Sequence, residues 1–439
     1  MSAPADCIAY PELPQVPGAL PRADLAKAAY TEFAMWSKPT DYDLLCGAVV
    51  LNSKPSVELA LSLGAPITRD SSSVLNIIST YYNDTQQQGP NASKRRGGTA
   101  QEGCQWLQFF LEHPSCPPQT LVEFGQVIAE DAVRWGNLAV LDYLDHPTRL
   151  QRYLRSDVAN ELLIDAASRP HAGDSLSWLI ARGIGDIDAR DGDNNTPLLA
   201  AAAAAHLDRV RLLLDRGADP LAQNHRGRNI LHQCALAALD RLELGQYVSR
   251  VMDLLPAPVV ASLATQSDDC GFLPIHELAM AGAGLDWTRL APAGKMNAFT
   301  SAGHVVQEVK GAPDLTELSA LGIALLMLNS QASVELLSAG ARLDQLSAKG
   351  HTGWHLLANS FHTKSDKDVS SRRKLARMLA REGVSIEQAN ADGLHPLAFA
   401  ETDKFSHFLA RYRRRQLISL GKPRRASEYS ARPRRPTGL

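Results

Sequence analysis

No stretch of about 20 consecutive apolar residues occurs in this 439-residue chain, so no membrane-crossing helix is expected. The glycine-rich signatures G-x-x-x-x-G-K-[ST] and G-x-G-x-x-G, whose backbone amides cradle phosphates, are missing. So are the G-x-S-x-G elbow of hydrolases and the H-E-x-x-H zinc motif. Cysteine is sparse. Six residues, Cys7, Cys46, Cys104, Cys116, Cys234 and Cys270, are too scattered for a disulfide framework and suit a reducing compartment. The first 25 residues hold five prolines and three acids and no apolar core segment, so they do not read as a secretory signal; a cytoplasmic location is the expectation.

What remains is ordinary in bulk and uneven in detail. The chain is 45% hydrophobic and 21% charged. At this length several domains or a stacked array are expected rather than one core. The formal net charge of -2 hides a division: from Arg411 onward ten Lys/Arg stand against the single acid Glu428. That end carries +9 and the rest of the chain about -11.

The chain also repeats itself. "LNSKPSVELALSLGA" at residues 51–65 returns as "LNSQASVELLSAGA" at 328–341, one residue shorter. The clearest unit is "DGDNNTPLLAAAAAAHLDRVRLLLDRGADPLAQN", residues 191–224. Thr196 is placed to cap a helix, and Pro197 follows at the first helical position, where its missing N–H costs nothing. Leu198, Ala201 and Ala202 give a small-residue inner helix. Val210, Leu213 and Leu214 form the apolar stripe of a second helix, which Gly217 ends in left-handed geometry.

The order D-x-x-x-x-T-P-L-x-x-A-A over residues 191–202 resembles the ankyrin repeat, with Asn194 in place of the usual glycine and Leu199 in place of histidine. Further units read "NHRGRNILHQCA" (224–235), "DDCGFLPIHELA" (268–279), "KGHTGWHLLA" (349–358) and "ADGLHPLAFA" (391–400). The resemblance implies an all-α solenoid of stacked helix-turn-helix units, roughly nine or ten of them between residues 41 and 415, broken by irregular insertions. Closing glycines lie 34 residues apart from Gly183 to Gly217 but 43 apart from Gly340 to Gly383, so the array is not uniform. The expected organisation is an N-terminal segment with a capping helix (1–40), degenerate repeats (41–185) with a mobile loop at 86–103, regular repeats (186–415) with an insertion at 284–315, and a basic disordered tail (416–439).

Chemistry finds few candidates. His351 and His355 are four apart, as zinc ligands on one helix face would be, but His355 occupies the repeat's own histidine position and His351 precedes the helix. His232 and His276 fall at the same repeat position. Cys234 sits where the inner helix takes a small core residue. No metal, cofactor or catalytic residue is assigned, and an enzyme with a hidden site in 284–315 remains the least favoured alternative.

The resemblance implies a binding scaffold, whose ligands lie across the concave face made by turn tips and inner helices. On that basis the candidate protein-binding residues are Arg190, Asp193 and Asn195 in one turn and His225, Arg226 and Arg228 in the next. Trp287 and Phe299 join them as aromatics in the insertion without a core role. The expected partner is another protein, in a monomeric or 1:1 arrangement. The basic tail is either a solvated helix end or a weak contact for anionic surfaces. Alanine- and arginine-rich helices suggest a bacterial source, where such a scaffold serves as an immunity or regulatory protein or, alternatively, as an effector delivered into host cells.

Overall fold

Thr196 starts the clearest repeat as its position demands. Its backbone is extended (φ -88°) and its hydroxyl accepts the Leu199 N–H at 3.3 Å, opening the helix Pro197–Ala203. Ala205 then turns through a left-handed φ of 60°, and a second helix runs antiparallel over Leu207–Asp215 until Gly217 (φ 88°) ends it. Leu198, Ala201, Ala202, Val210 and Leu213 are all fully buried between the helices. Each short helix is marginal alone and is held by burying this face against neighbours.

The computed structural model describes residues 17–33, 40–69, 72–82, 98–114, 116, 120–145, 156–237, 239–301, 317–359, 369–399, 407–409 and 412. Within them the chain divides into two units, residues 1–238 and 239–439. In the first, inner helices Asp41–Val50, Val74–Tyr81, Thr120–Trp135, Ser156–Ser168, Pro197–Ala203 and Ile230–Cys234 pack in succession, each on the next. Outer helices Lys54–Ser62, Ala100–Glu112, Leu138–Leu144, Gly173–Ala181 and Leu207–Asp215 follow the first five. In the second unit Pro274–Ala281, Ala320–Leu326 and Gly353–Asn359 form the inner row, with Ser330–Ser338 and Val369–Arg381 outside the latter two. The only strands among the described residues are two-residue segments, Thr68–Arg69 paired antiparallel with Ser72–Ser73. The fold is therefore the all-α stacked array that the repeats imply.

The joint between inner and outer helix has a recurring construction. A left-handed residue (Gly136, Ala205 or Leu328) precedes a polar one (Asn137, His206 or Asn329) whose side chain reaches back to the preceding repeat. Asn329 Nδ2 donates to the Gly282 carbonyl at 2.7 Å, His206 Nε2 donates to the Ser168 carbonyl at 3.0 Å, and Asn137 donates to the Tyr82 carbonyl. Carbonyls left open at the end of one repeat are thus satisfied by the next.

Two expectations change. The segment 86–103 is not loop throughout: Thr99 and Glu102 form a reciprocal capping box and helix begins at Ala100. Residues 86–97 lie outside the described residues. The segment 284–315 is not an irregular insertion from its start. Asp286 caps a short helix, Trp287–Leu290, which packs against Ala257–Thr265 and Pro274–Ala281 in the outer-helix place of that repeat. Residues 302–316 are not described, nor is the tail at 416–439. Within the first unit Ser156–Ser168 packs directly on Pro197–Ala203, so the repeats on either side of residue 186 share one core.

Candidate functional site

The turn tips fold as a ladder. Asp191 Oδ1 accepts the N–H groups of Asp193 (2.9 Å) and Asn195 (2.7 Å), and its Oδ2 accepts Asn195 Nδ2 at 3.1 Å. Asn224 Oδ1 does the same for the N–H groups of Arg226 and Arg228, both at 3.0 Å. The two turns are joined by the His225 N–H on the Asp193 carbonyl (3.0 Å) and by Asn224 Nδ2 on Asn195 Oδ1 (3.0 Å). Arg190 Nη1 adds bonds to the carbonyls of Gln223 (3.0 Å) and Asn194 (3.3 Å).

The six tip residues are thus brought together in two adjacent turns, but they divide by role. Arg190 and Asn195 spend their polar atoms holding the ladder. Asp193, His225 and Arg226 are exposed, and Arg228 is half-buried. Trp287 and Phe299 belong to the second unit. Trp287 is 2% exposed and its indole N–H is bonded to Glu335, so it is a core residue and not an exposed contact. Phe299 is 38% exposed and its backbone bridges Ser319.

His355 and His276 serve the backbone. His355 Nδ1 accepts the Thr352 N–H at 3.0 Å while Nε2 donates to the Leu394 carbonyl at 2.9 Å, which requires the neutral Nε2–H form. His276 makes the same pair with Leu273 and Ala298, at 3.0 and 2.9 Å. His351 hydrogen-bonds Ser347 Oγ through Nδ1 at 2.8 Å, and its ring stands 5.7 Å edge-to-face from His355. Among the described residues no group of three or more His, Cys, Asp or Glu side chains is arranged to hold a metal ion.

A site that the motifs did not point to lies on the inner-helix face of the first unit. A groove of about 610 Å³ runs over Thr120–Trp135, Ser156–Ser168 and Pro197–Ala203. Val158 and Leu162 contribute apolar wall, and Ala200, Ala203 and Ala204 leave room because their side chains stop at Cβ. Glu130, Glu161, Asp165 and Asp191 bring four carboxylates to the lining against the two guanidiniums of Arg134 and Arg169.

Those two cations are already engaged. Arg134 Nε bonds Asp165 Oδ2 at 3.0 Å, with Glu130 at 3.5 Å and Asp131 at 3.9 Å; Arg169 Nε bonds Asp165 Oδ1 at 2.6 Å. Beside them, burial pushes the Asp131 carboxyl up to about 6 against the pull of Arg134. Glu161 is exposed and enters none of the hydrogen bonds or ion pairs found among the described residues. The groove therefore keeps a net negative field over a partly apolar floor. A sequence signal existed: Glu161, Asp165 and Arg169 recur every four residues, and Glu130 and Arg134 share that spacing, which sets charge along one exposed helix face.

Residues 163–248 match the family model for ankyrin repeats, in three copies. Among solved structures the chain is similar to the ankyrin repeat domain of Bcl-3, a member of the IkappaB protein family, at 17% identity over 56% of this chain and 97% of that one, with a TM-score of 0.36. It is also similar to the human ASB11 ankyrin repeat domain, at 18% identity over 60% of this chain and 99% of that one, with a TM-score of 0.37.

Proposed function

We propose that this chain, with ankyrin repeats across residues 163–248, is a non-catalytic scaffold that binds a partner protein on the inner-helix face of its first unit. The observation that carries the reading is the groove itself, open and about 610 Å³, where the Glu161 carboxylate is exposed and the short side chains of Ala200, Ala203 and Ala204 leave space. The adjoining tip, in which Asp191 lines the groove and Asp193 is exposed, extends the contact surface toward His225 and Arg226. Interfaces of this kind take their affinity from a few buried anchors within a polar rim, and the groove offers space for the anchors and charge for the rim.

Occupation of a cognate protein, as in an immunity or regulatory pair, is the role we favour; binding a host protein after delivery is the alternative. A photo-crosslinking residue at Ala203 tests the site, with a second chain carrying it at exposed Arg211 on the outer helix. The reading requires a partner protein captured from Ala203 and not from Arg211. Capture from Arg211 alone, or from neither in cells that contain the partner, overturns it. Whether the captured protein comes from the producing cell or from a host separates the two roles.

A further inference from the structure

The chemistry of the groove narrows the partner, on the premise that the inner-helix face is the binding face. An anionic ligand would face four carboxylates. A purely apolar one would strip water from Glu161 and from the Arg134–Asp165–Arg169 network without replacing its hydrogen bonds, which is costly. A long side chain with an aliphatic stem and a cationic end satisfies both surfaces. Its stem lies on Ala200, Ala203 and Ala204, and its charge meets Glu161 on the adjacent inner helix. The existing guanidiniums do not compete, because Arg134 and Arg169 are committed to Asp165 and the neighbouring carboxylates.

We infer that the groove docks an extended basic segment of the partner protein, with at least one arginine or lysine inserted between Glu161 and the alanine wall. Its length follows from geometry. Three inner helices spaced about 10 Å apart span roughly 20 Å, which an extended chain crosses in about six residues. Encounter is steered by the negative field, so association slows as salt rises, while the packed stem makes dissociation less salt-dependent.

The test uses the full chain and fluorescein-labelled 12-residue peptides of alternating Arg and Ala, with Lys–Ala and Glu–Ala peptides as controls, read by fluorescence anisotropy. The Arg–Ala and Lys–Ala peptides are expected to bind and the Glu–Ala peptide to show no binding. Glu161→Arg is expected to weaken basic-peptide binding at least tenfold, and Glu161→Gln severalfold. Ala203→Arg, which fills the groove with a cation of its own, should abolish binding. Glu161 is exposed and Ala203 half-buried, and urea midpoints equal to the parent establish that each variant is folded. Equal affinity for basic and acidic peptides, or basic-peptide binding that survives Glu161→Arg and Ala203→Arg, overturns the inference. If a partner still crosslinks from Ala203 in that case, the scaffold reading stands and only the basic character fails. If no partner crosslinks there, the scaffold reading fails with it.

Discussion

The indole N–H of Trp287 donates to Glu335 Oε2 at 3.0 Å, tying a four-residue helix to the outer helix of the following repeat. The same carboxylate accepts the Gly284 N–H on both oxygens, at 2.8 and 3.0 Å, and Gln331 Nε2 at 3.1 Å. One acid thus anchors the start of a segment too short to hold itself as a helix. Glu335→Ala should lower stability by about 1–3 kcal/mol, because three N–H donors lose a charged acceptor. Trp287→Ala should cost about 3–5 kcal/mol by emptying its buried site. Urea midpoints that do not move in either variant would contradict this assignment.

Arg209 is 7% exposed and has no carboxylate within hydrogen-bonding distance among the described residues. Its guanidinium instead caps the C-terminal end of Ser156–Ser168. Nη1 donates to the carbonyls of Ala166 (3.0 Å), Ala167 (3.1 Å) and Arg169, and Nη2 to that of Pro170 (3.0 Å). Burial pulls its pKa down, with Asp174 and Asp208 opposing. Arg209→Met should cost about 2–4 kcal/mol, since the carbonyls are then buried without donors. Arg209→Lys should recover only part, because a single ammonium cannot reproduce the planar fork. Full recovery by lysine in chemical denaturation would refute the capping role.

Ala205 turns at φ 60°, where a Cβ is disfavoured by about 1–2 kcal/mol. Glycine removes that cost but gives the unfolded chain more freedom, so the gain is smaller. Ala205→Gly is expected to stabilise the first unit by roughly 0.5–1 kcal/mol. A lower melting midpoint would show that the turn carries no such strain.

The repeated stretches show how far sequence reading reaches. Both form the joint and outer helix of a repeat, and both close with a left-handed glycine, Gly64 and Gly340. Their letters do not share a register, however. Helix caps fall at Ser53 and Asn329, so the left-handed residues are Asn52 and Leu328, and the matched "SVEL" letters are one place out of step. Val57 is fully buried whereas Val334 is 46% exposed. Repeat type was legible because capping residues, small inner helices and closing glycines are local devices. Trp287 was misread because its burial depends on helices distant in sequence. The groove escaped because it is assembled from three helices whose charged faces, taken singly, look like solvated surface.

Acid should weaken the second unit through His351. Its ring is 3% exposed, bonded to Ser347 and set edge-on to His355 and Phe399. Burial lowers its pKa from 6.5 to about 4, with His355 and Lys349 pushing the same way and Asp392 opposing. Between about pH 4 and 6.5 the unfolded chain binds the proton that the folded chain refuses. Stability therefore rises with pH across that window, is fully present above it, and is lost as pH falls toward 4. The contribution is roughly 1–3 kcal/mol after solvent screening. His355, lowered by burial as well, acts with the same sign. Asp131, raised to about 6 in the first unit, acts with the opposite one, so the parent's profile alone is not diagnostic. The informative quantity is the difference between the parent and His351→Gln, which keeps a polar partner for Ser347 but does not titrate. That difference in urea midpoint should change steadily between pH 7 and pH 4, with the parent losing more stability than the variant. Parallel profiles for the two chains would mean that the ring accepts its proton in the folded state and that its burial costs nothing.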